Sequence, residues 1–454
     1  MTYRTLNSQL VVAQYDHEYP MIVRGEGVYL YADDGRRYLD GSGCTAAVTH
    51  IGHGDAMVAD ALSAQARKLA VHPTHAFHNP LVEKYFQRLC AFAPEGFTRA
   101  WTISGGTEAV ENAIKLAFQY HRAKGRDGRR RIVGRWSSYH GNSITTLDVG
   151  GMVPRRGFYT DLMPGLHLHA SPCLPYRRPN GMSEEVYEDG LVQEFADLVA
   201  THPDDIAAFI TEPFVGSALG AAGPTARYFE RIAAICRAHD ILMISDEVMT
   251  GFGRTGKNFG CEHFGTHADI LACAKGISDG YLPLDAILVR DTVAAALHDS
   301  GDPFFSGQTY SCIPLAAAVG IAVLDRIEGD GLVAHCAAVG DYLKARLQVL
   351  LEDLPCVGDV RGAGLFLGVE FVADKSTKAV MAQELRFSKR VEAACLEHGL
   401  IILGSRGTVE SLHGDHLLLA PPLTLSRDEA GEMAEGIRAG ILQALASIGV
   451  PTPA

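Results

Sequence analysis

The centre of this chain alternates short β-branched apolar runs with helical patterns, and that alternation restricts the fold more than any other feature. The runs are Ala207–Thr211, Ile241–Ser245, Ile270–Ala274 and Ala286–Arg290. Such a pattern predicts βαβ units and a mostly parallel sheet. The ends read differently. Val28–Tyr31 and Arg37–Leu39 flank Asp33-Asp34-Gly35 as a hairpin would. Towards the C-terminus, helical patterns at Val333–Leu351, Ala382–His398 and Arg427–Ile448 mix with a strand at Leu365–Phe371. The expected organisation is a large central α/β domain, residues 61–315, and a smaller α+β domain built from residues 1–60 and 316–454. Glu212, Asp246 and Lys275 directly follow the first three of these runs. Ligands bind at the C-terminal ends of strands in open α/β sheets.

The composition, 47% hydrophobic and 20% charged, is an ordinary globular balance. A net charge of −13 disfavours nucleic acid or a membrane surface as partner. The one dense basic run, Arg126–Arg135, reads as a surface loop before a strand at Ile132–Gly134. Ten cysteines show no CxxC and no zinc-ligand spacing with histidine, so no metal is expected and the thiols read as reduced. The first twenty residues lack the apolar core of a signal peptide. The longest apolar stretch, Leu315–Leu324, is about half a membrane span. These features point to a soluble, cytoplasmic protein.

A lysine amine forms a Schiff base with an aldehyde cofactor. An aspartate paired with a protonated pyridine nitrogen keeps that nitrogen cationic. Lys275 and Asp246 are therefore the two groups that pyridoxal 5'-phosphate (PLP) chemistry asks of a protein. Taken singly, each has a plainer reading: a solvated strand end for the lysine, a turn or cap for the aspartate. Their company separates the alternatives. In Ser104–Gly125, an apolar stripe of Ala109, Val110, Ala113, Ile114, Ala117 and Phe118 predicts a helix starting near Thr107. Gly105 and Gly106 precede it, so free N–H groups and the helix dipole make an anion site there; the alternative is a glycine turn with Thr107 as N-cap. Tyr139 is placed to stack on a planar ring, or is a half-buried aromatic. His140 reads as structural rather than as an acid or base. Glu212 either hydrogen-bonds around a cofactor or is a loop carboxylate. Gly251-x-Gly253-x-x-Gly256-Lys257 satisfies a dinucleotide fingerprint and nearly a P-loop. Five residues separate it from the strand and no helical pattern follows, so a phosphate cradle of either kind is not expected.

These stretches, with Leu39-Asp40, Ile51-Gly52-His53, Tyr139-His140-Gly141, DEVMTGFGRTG (Asp246–Gly256), Ala274-Lys275-Gly276, Thr309-Tyr310-Ser311, Val360–Glu370 and Ala420–Thr424, resemble in order those of the class III aminotransferases. These are PLP-dependent enzymes of fold type I, here closest to the ω-aminotransferase group. The resemblance runs from Gly25 to about Leu425. It implies an α/β fold-type I transferase: a large domain whose mostly parallel sheet is sandwiched by helices, plus the smaller α+β domain. Lys275 resembles the Schiff-base lysine that later moves a proton between substrate and cofactor, and Asp246 the partner of the pyridine nitrogen. Val248 and Tyr139 would cover the two ring faces. Gly105, Gly106 and Thr107 resemble the phosphate cradle, with His140 and Glu212 among the residues around the cofactor. Thr309 resembles a phosphate ligand donated by a neighbouring subunit, which implies a homodimer or a dimer of dimers. The implied reaction moves an amino group from an amine or ω-amino donor to a keto acid such as pyruvate, by a ping-pong route.

Some positions depart from the family pattern. Leu418 stands where an arginine clamp for an α-carboxylate is often found. Arg406 is the one arginine in the preceding stretch, Gly404–His416, which reads as a long loop, and is the candidate carboxylate ligand. Cys44 replaces a tryptophan and implies a roomier substrate pocket. Asp279 and Asp285 stand in place of small residues, and Cys312-Ile313 in place of Gly-His. Two alternatives remain: a same-fold enzyme such as a dialkylglycine decarboxylase or an aminomutase, and a nucleotide-binding protein resting only on Gly251–Lys257.

Overall fold

The computed structural model describes residues 2–4, 8–9, 11 and 18–450. The N-terminal stretch read for a leader lies largely outside them. The central sheet has seven strands, in the spatial order Phe97–Ile103, Asp285–Arg290, Ile270–Cys273, Leu242–Asp246, Ile206–Thr211, Arg131–Arg135 and Leu168–Ala170. The last five run parallel. Asp285–Arg290, grouped with the parallel runs by its sequence, is antiparallel to both neighbours. The physical reason is its connection: the chain returns from Cys273 to Asp285 with no crossover helix, too short a path for a parallel pair.

Every residue of Ile206–Thr211, Leu242–Asp246 and Ile270–Cys273 is buried, which is why these runs carry no polar alternation. Helix Gly106–Ala123 covers one face, packing Ala109, Val110, Ala113, Ile114 and Ala117 on Ala208, Ile210, Ile244 and Ile270. Helices Glu184–Thr201 and Ala226–Ala238 cover the other through Phe195, Phe229 and Ile232.

Besides a two-stranded pair of Thr2–Arg4 with Glu18–Pro20, two four-stranded sheets complete the described residues. One is antiparallel: Val357–Ala363, Phe366–Phe371, His413–Leu419 and Leu403–Val409. The other joins the two ends of the chain, because Leu400–Ile401 pairs in parallel with Arg37–Asp40, next to Tyr29–Ala32 and Ile22–Glu26. Helices Leu332–Leu350, Phe387–Glu397 and Arg427–Ser447 pack beside them.

The structure departs from three further expectations. Residues 404–416 form a β-hairpin, not a long loop. Its turn places Glu410 (φ 53°) and Ser411 (φ 58°) in left-handed conformations, a geometry usually announced by Asn-Gly or Asp-Gly; Glu-Ser gives no such signal. The helix expected from Ala382 starts at Phe387, after Arg386 turns left-handed at φ 46°. The basic run is not a surface loop throughout. Arg129 and Arg135 are buried, and Arg135 Nη2 donates to the Glu212 carbonyl at 2.8 Å. Among the described residues no helix is long and apolar enough to cross a membrane.

Candidate active site

Adjacent parallel strands bring the charged strand ends together. Asp246 pairs with Ala272, and Ser245 with Thr211, so Asp246, Lys275 and Glu212 emerge side by side. They open on a cavity of about 500 Å³, which also gathers Gly105, Gly106, Thr107, Tyr139, His140 and Val248. Three residues named from the sequence are not brought to this cavity within the chain. Thr309 is exposed on a turn. Cys44 lies in an irregular segment, Gly43–Ala47, and is not among the lining residues. Arg406 sits on a strand with its Nε 3.8 Å from Asp415 Oδ1.

Asp246 is buried and held from two sides. Its Oδ2 lies 2.7 Å from His140 Nδ1, and its Oδ1 accepts from the Val248 amide at 3.1 Å. His140 therefore holds the Asp246 carboxylate in place, and its Nε2 has no partner. Glu212 accepts from the Tyr139 amide at 3.0 Å and the Gly216 amide at 2.9 Å. Burial raises its pKa above the ordinary carboxylate value, the nearby Asp246 adds to this, and His140 and the two amides oppose it. Lys275 is the converse. Burial pulls its amine down to about 8, against the opposing pull of Asp246 and Glu212. Its neutral form is therefore within reach near neutral pH.

Beside these groups stands the end of helix Gly106–Ala123. Its N-cap is Gly105, not Thr107. A Cβ on Gly106 would lie 3.1 Å from Val248 Cγ1, so glycine keeps the helix end close to the Val248 side chain. Thr107 Oγ1 accepts from the Asn142 amide at 3.2 Å and ties the helix end to the Tyr139 loop. Gly141, at φ 137°, is needed there because a Cβ would meet Thr107 and Thr146 within 3 Å.

Reasoning from sequence missed the residues that hold this frame. Asp285 accepts from the Ile103 and Gly105 amides, each at 3.0 Å, and so sets the glycine turn. Asp279 accepts from the Ile51 amide at 2.8 Å and from the His50 amide, tying the Lys275 turn to the N-terminal segment. The only signal for either was its departure from small residues. Arg254 accounts for the glycine-rich stretch that mimics a nucleotide fingerprint. It is buried, and donates to the carbonyls of Thr49 at 2.9 Å, Leu365 at 3.2 Å and Pro421. Gly253 and Gly256, both left-handed, fold the chain around it. Only a short 3₁₀ turn, Gly260–Phe264, follows.

An amine of lowered pKa, a buried carboxylate held by an imidazole, flanking flat and branched side chains, and a glycine-lined helix N-terminus together suit a planar phosphorylated aldehyde. The residues present therefore fit PLP. Comparison with known proteins agrees. The family described as Aminotransferase class-III matches residues 11–441, and the chain belongs to that family. An uncharacterised aminotransferase of Schizosaccharomyces pombe is 35% identical over 435 residues, 95% of each chain. An omega-aminotransferase of Caulobacter vibrioides is 33% identical, with 92% of each chain covered. The omega transaminase of Pseudomonas jessenii, solved in complex with PMP, superposes with a TM-score of 0.91 at 30% identity, over 99% of each chain. The protein is a PLP-dependent transaminase of fold type I. The names of these relatives favour transamination over the decarboxylase, aminomutase and nucleotide-binding readings.

Proposed function

We propose that this transaminase moves an amino group from an amine or ω-amino donor to a keto acid such as pyruvate, with Lys275 and Asp246 as its catalytic residues. The observation that carries this reading is the pairing of a lysine amine of lowered pKa with a buried carboxylate at adjacent strand ends. When bound, PLP supplies an aldehyde that condenses with amines and a ring that accepts electrons from a breaking C–H bond. Lys275 anchors the aldehyde carbon. In its neutral form the amine would be the group that takes a proton from the substrate carbon and later returns one. Asp246, oriented by His140 and the Val248 amide, keeps the ring nitrogen cationic. Tyr139 and Val248 would bracket the ring, and the amides at Gly105, Gly106 and Thr107 would receive the phosphate. Glu212 holds the Tyr139 loop. Thr309 completes the phosphate site of a partner subunit, making the working unit a homodimer.

The candidate for binding the acceptor carboxylate in this reading is Arg406. Leu418 is buried, and Arg406 would have to leave Asp415 to reach the cavity. The two-part small domain, residues 1–60 and 316–454 around 61–315, is supported by the pairing of Leu400 with Leu39. A cytoplasmic location is supported by ten free cysteines.

The test is Lys275→Ala. It should abolish turnover and leave the melting temperature close to that of the parent apoprotein, because it removes anchor and base together. Near-normal transamination by this variant would remove the basis of the proposal.

A further inference from the structure

Asp40, Cys44 and His53 are not among the residues that line the catalytic cavity. One ligand atom from each lies within 4.8 Å of the others. Asp40 Oδ2 and His53 Nε2 are 3.0 Å apart. Two ligands at about 2.0–2.1 Å from a tetrahedral ion stand roughly 3.3 Å apart, so little movement is needed. We propose that Asp40, Cys44 and His53 form a binding site for a thiophilic divalent cation. One sulfur, one imidazole nitrogen and one carboxylate oxygen suit Zn²⁺, with a fourth position left open.

The surroundings supply a second reason. Asp279 is 5% exposed and its Oδ2 has no hydrogen-bond partner. Its charge bears on both Cys44 and His53. Two buried carboxylates, Asp40 and Asp279, thus face one locality, where the opposing groups are His53 and Arg254, the latter spent on backbone carbonyls. A cation there relieves the cost of that buried charge. The sulfur also has a neighbour suited to a thiolate, since Thr49 Oγ1 lies 3.6 Å from Cys44 Sγ. Of the ten cysteines Cys44 alone is exposed, which leaves a route for the ion. Binding of a cation to the sulfur expels the thiol proton, so affinity rises with pH. No spacing in the sequence announces this site, because the fold, not a motif, brings the three residues together.

The test uses the purified holoenzyme and two probe ions. Cd²⁺ should produce an ultraviolet thiolate-to-metal absorption that saturates at one equivalent per chain. The band should survive Cys90→Ser and vanish in Cys44→Ser. Calorimetry should show Zn²⁺ affinity falling at least about 100-fold in Cys44→Ser and about 10–100-fold or more in His53→Gln, and rising with pH in the parent. A band that never saturates, or that survives Cys44→Ser, overturns the proposal. So does Zn²⁺ affinity unchanged by His53→Gln, which would indicate a simple thiol adduct. Should His53→Gln fail to fold, the isosteric Asp40→Asn takes its place, since a simple thiol adduct would be indifferent to that carboxylate.

Discussion

Lys275 holds a left-handed backbone conformation, φ 52°, that a lysine adopts only when its surroundings demand it. Strand Ile270–Cys273 delivers the residue, and the Asp279 clamp holds the turn behind it. The lowered amine has a consequence for stability. Folded, the amine titrates at about 8, and its ordinary value is 10.5. Between those values the unfolded chain binds a proton that the folded chain does not, so stability rises with pH across that window. In the apoprotein, Lys275→Met should therefore exceed the parent in melting temperature at pH 7, and the difference should shrink by pH 10. A constant difference would mean that the amine is not depressed. For Asp246→Asn the expectation is kinetic. PLP stays bound, but the donor half-reaction slows by the equivalent of several kcal/mol, as for other electrostatic contributions of this kind; a rate within about tenfold of the parent would remove Asp246 from the mechanism. Lys275, Asp246 and Glu212 were legible in the sequence because an apolar run ending in a charge marks a strand end. Asp285 and Arg254 were not. Their partners are backbone amides and carbonyls far away in the chain, and no residue pattern encodes those.

At the scale of elements, hydrophobic runs read true where a strand is buried on both faces, as at Ile206–Thr211, Leu242–Asp246 and Ile270–Cys273. They also marked the strand Asp285–Arg290 but said nothing of its direction, which connection length decides. Turn chemistry was the weaker guide. The Glu410-Ser411 turn carries neither glycine nor asparagine, so the hairpin Leu403–Leu419 read as a loop and Arg406 as a mobile ligand. On its strand, Arg406 faces Asp415, which is fully buried and accepts from Ser388 Oγ at 2.6 Å. Arg406→Ala should then change the Michaelis constants for amine and keto acid alike. A selective rise of about tenfold for the keto acid, the size of one lost charge-assisted contact of about 1.5 kcal/mol, would show that the arginine leaves Asp415 during the acceptor half-reaction.

At the scale of the whole molecule, a shared active site makes a distinctive forecast. If Thr309 serves the partner's cofactor, Thr309→Ala and Lys275→Ala homodimers are both impaired. Hybrids formed by refolding a mixture contain one site with an intact lysine and an intact partner threonine. Activity should recover towards half that of the parent dimer, assayed on hybrids isolated with two affinity tags. No recovery would place Thr309 and Lys275 in the same subunit's site, or outside it. Assembly within one chain has its own order. The strand Arg37–Asp40 finds one neighbour in Tyr29–Ala32 at once, but its other neighbour, Leu400–Ile401, is made some 360 residues later. At translation speeds of about 5–20 residues per second, that edge waits roughly 20–70 s for its partner. During that interval the nascent chain presents an open β-edge to whatever is nearby, including the same segment on a neighbouring ribosome. The early hairpin is thus a natural client for a ribosome-associated chaperone, and a message truncated before codon 400 leaves that edge unsealed for the life of the product.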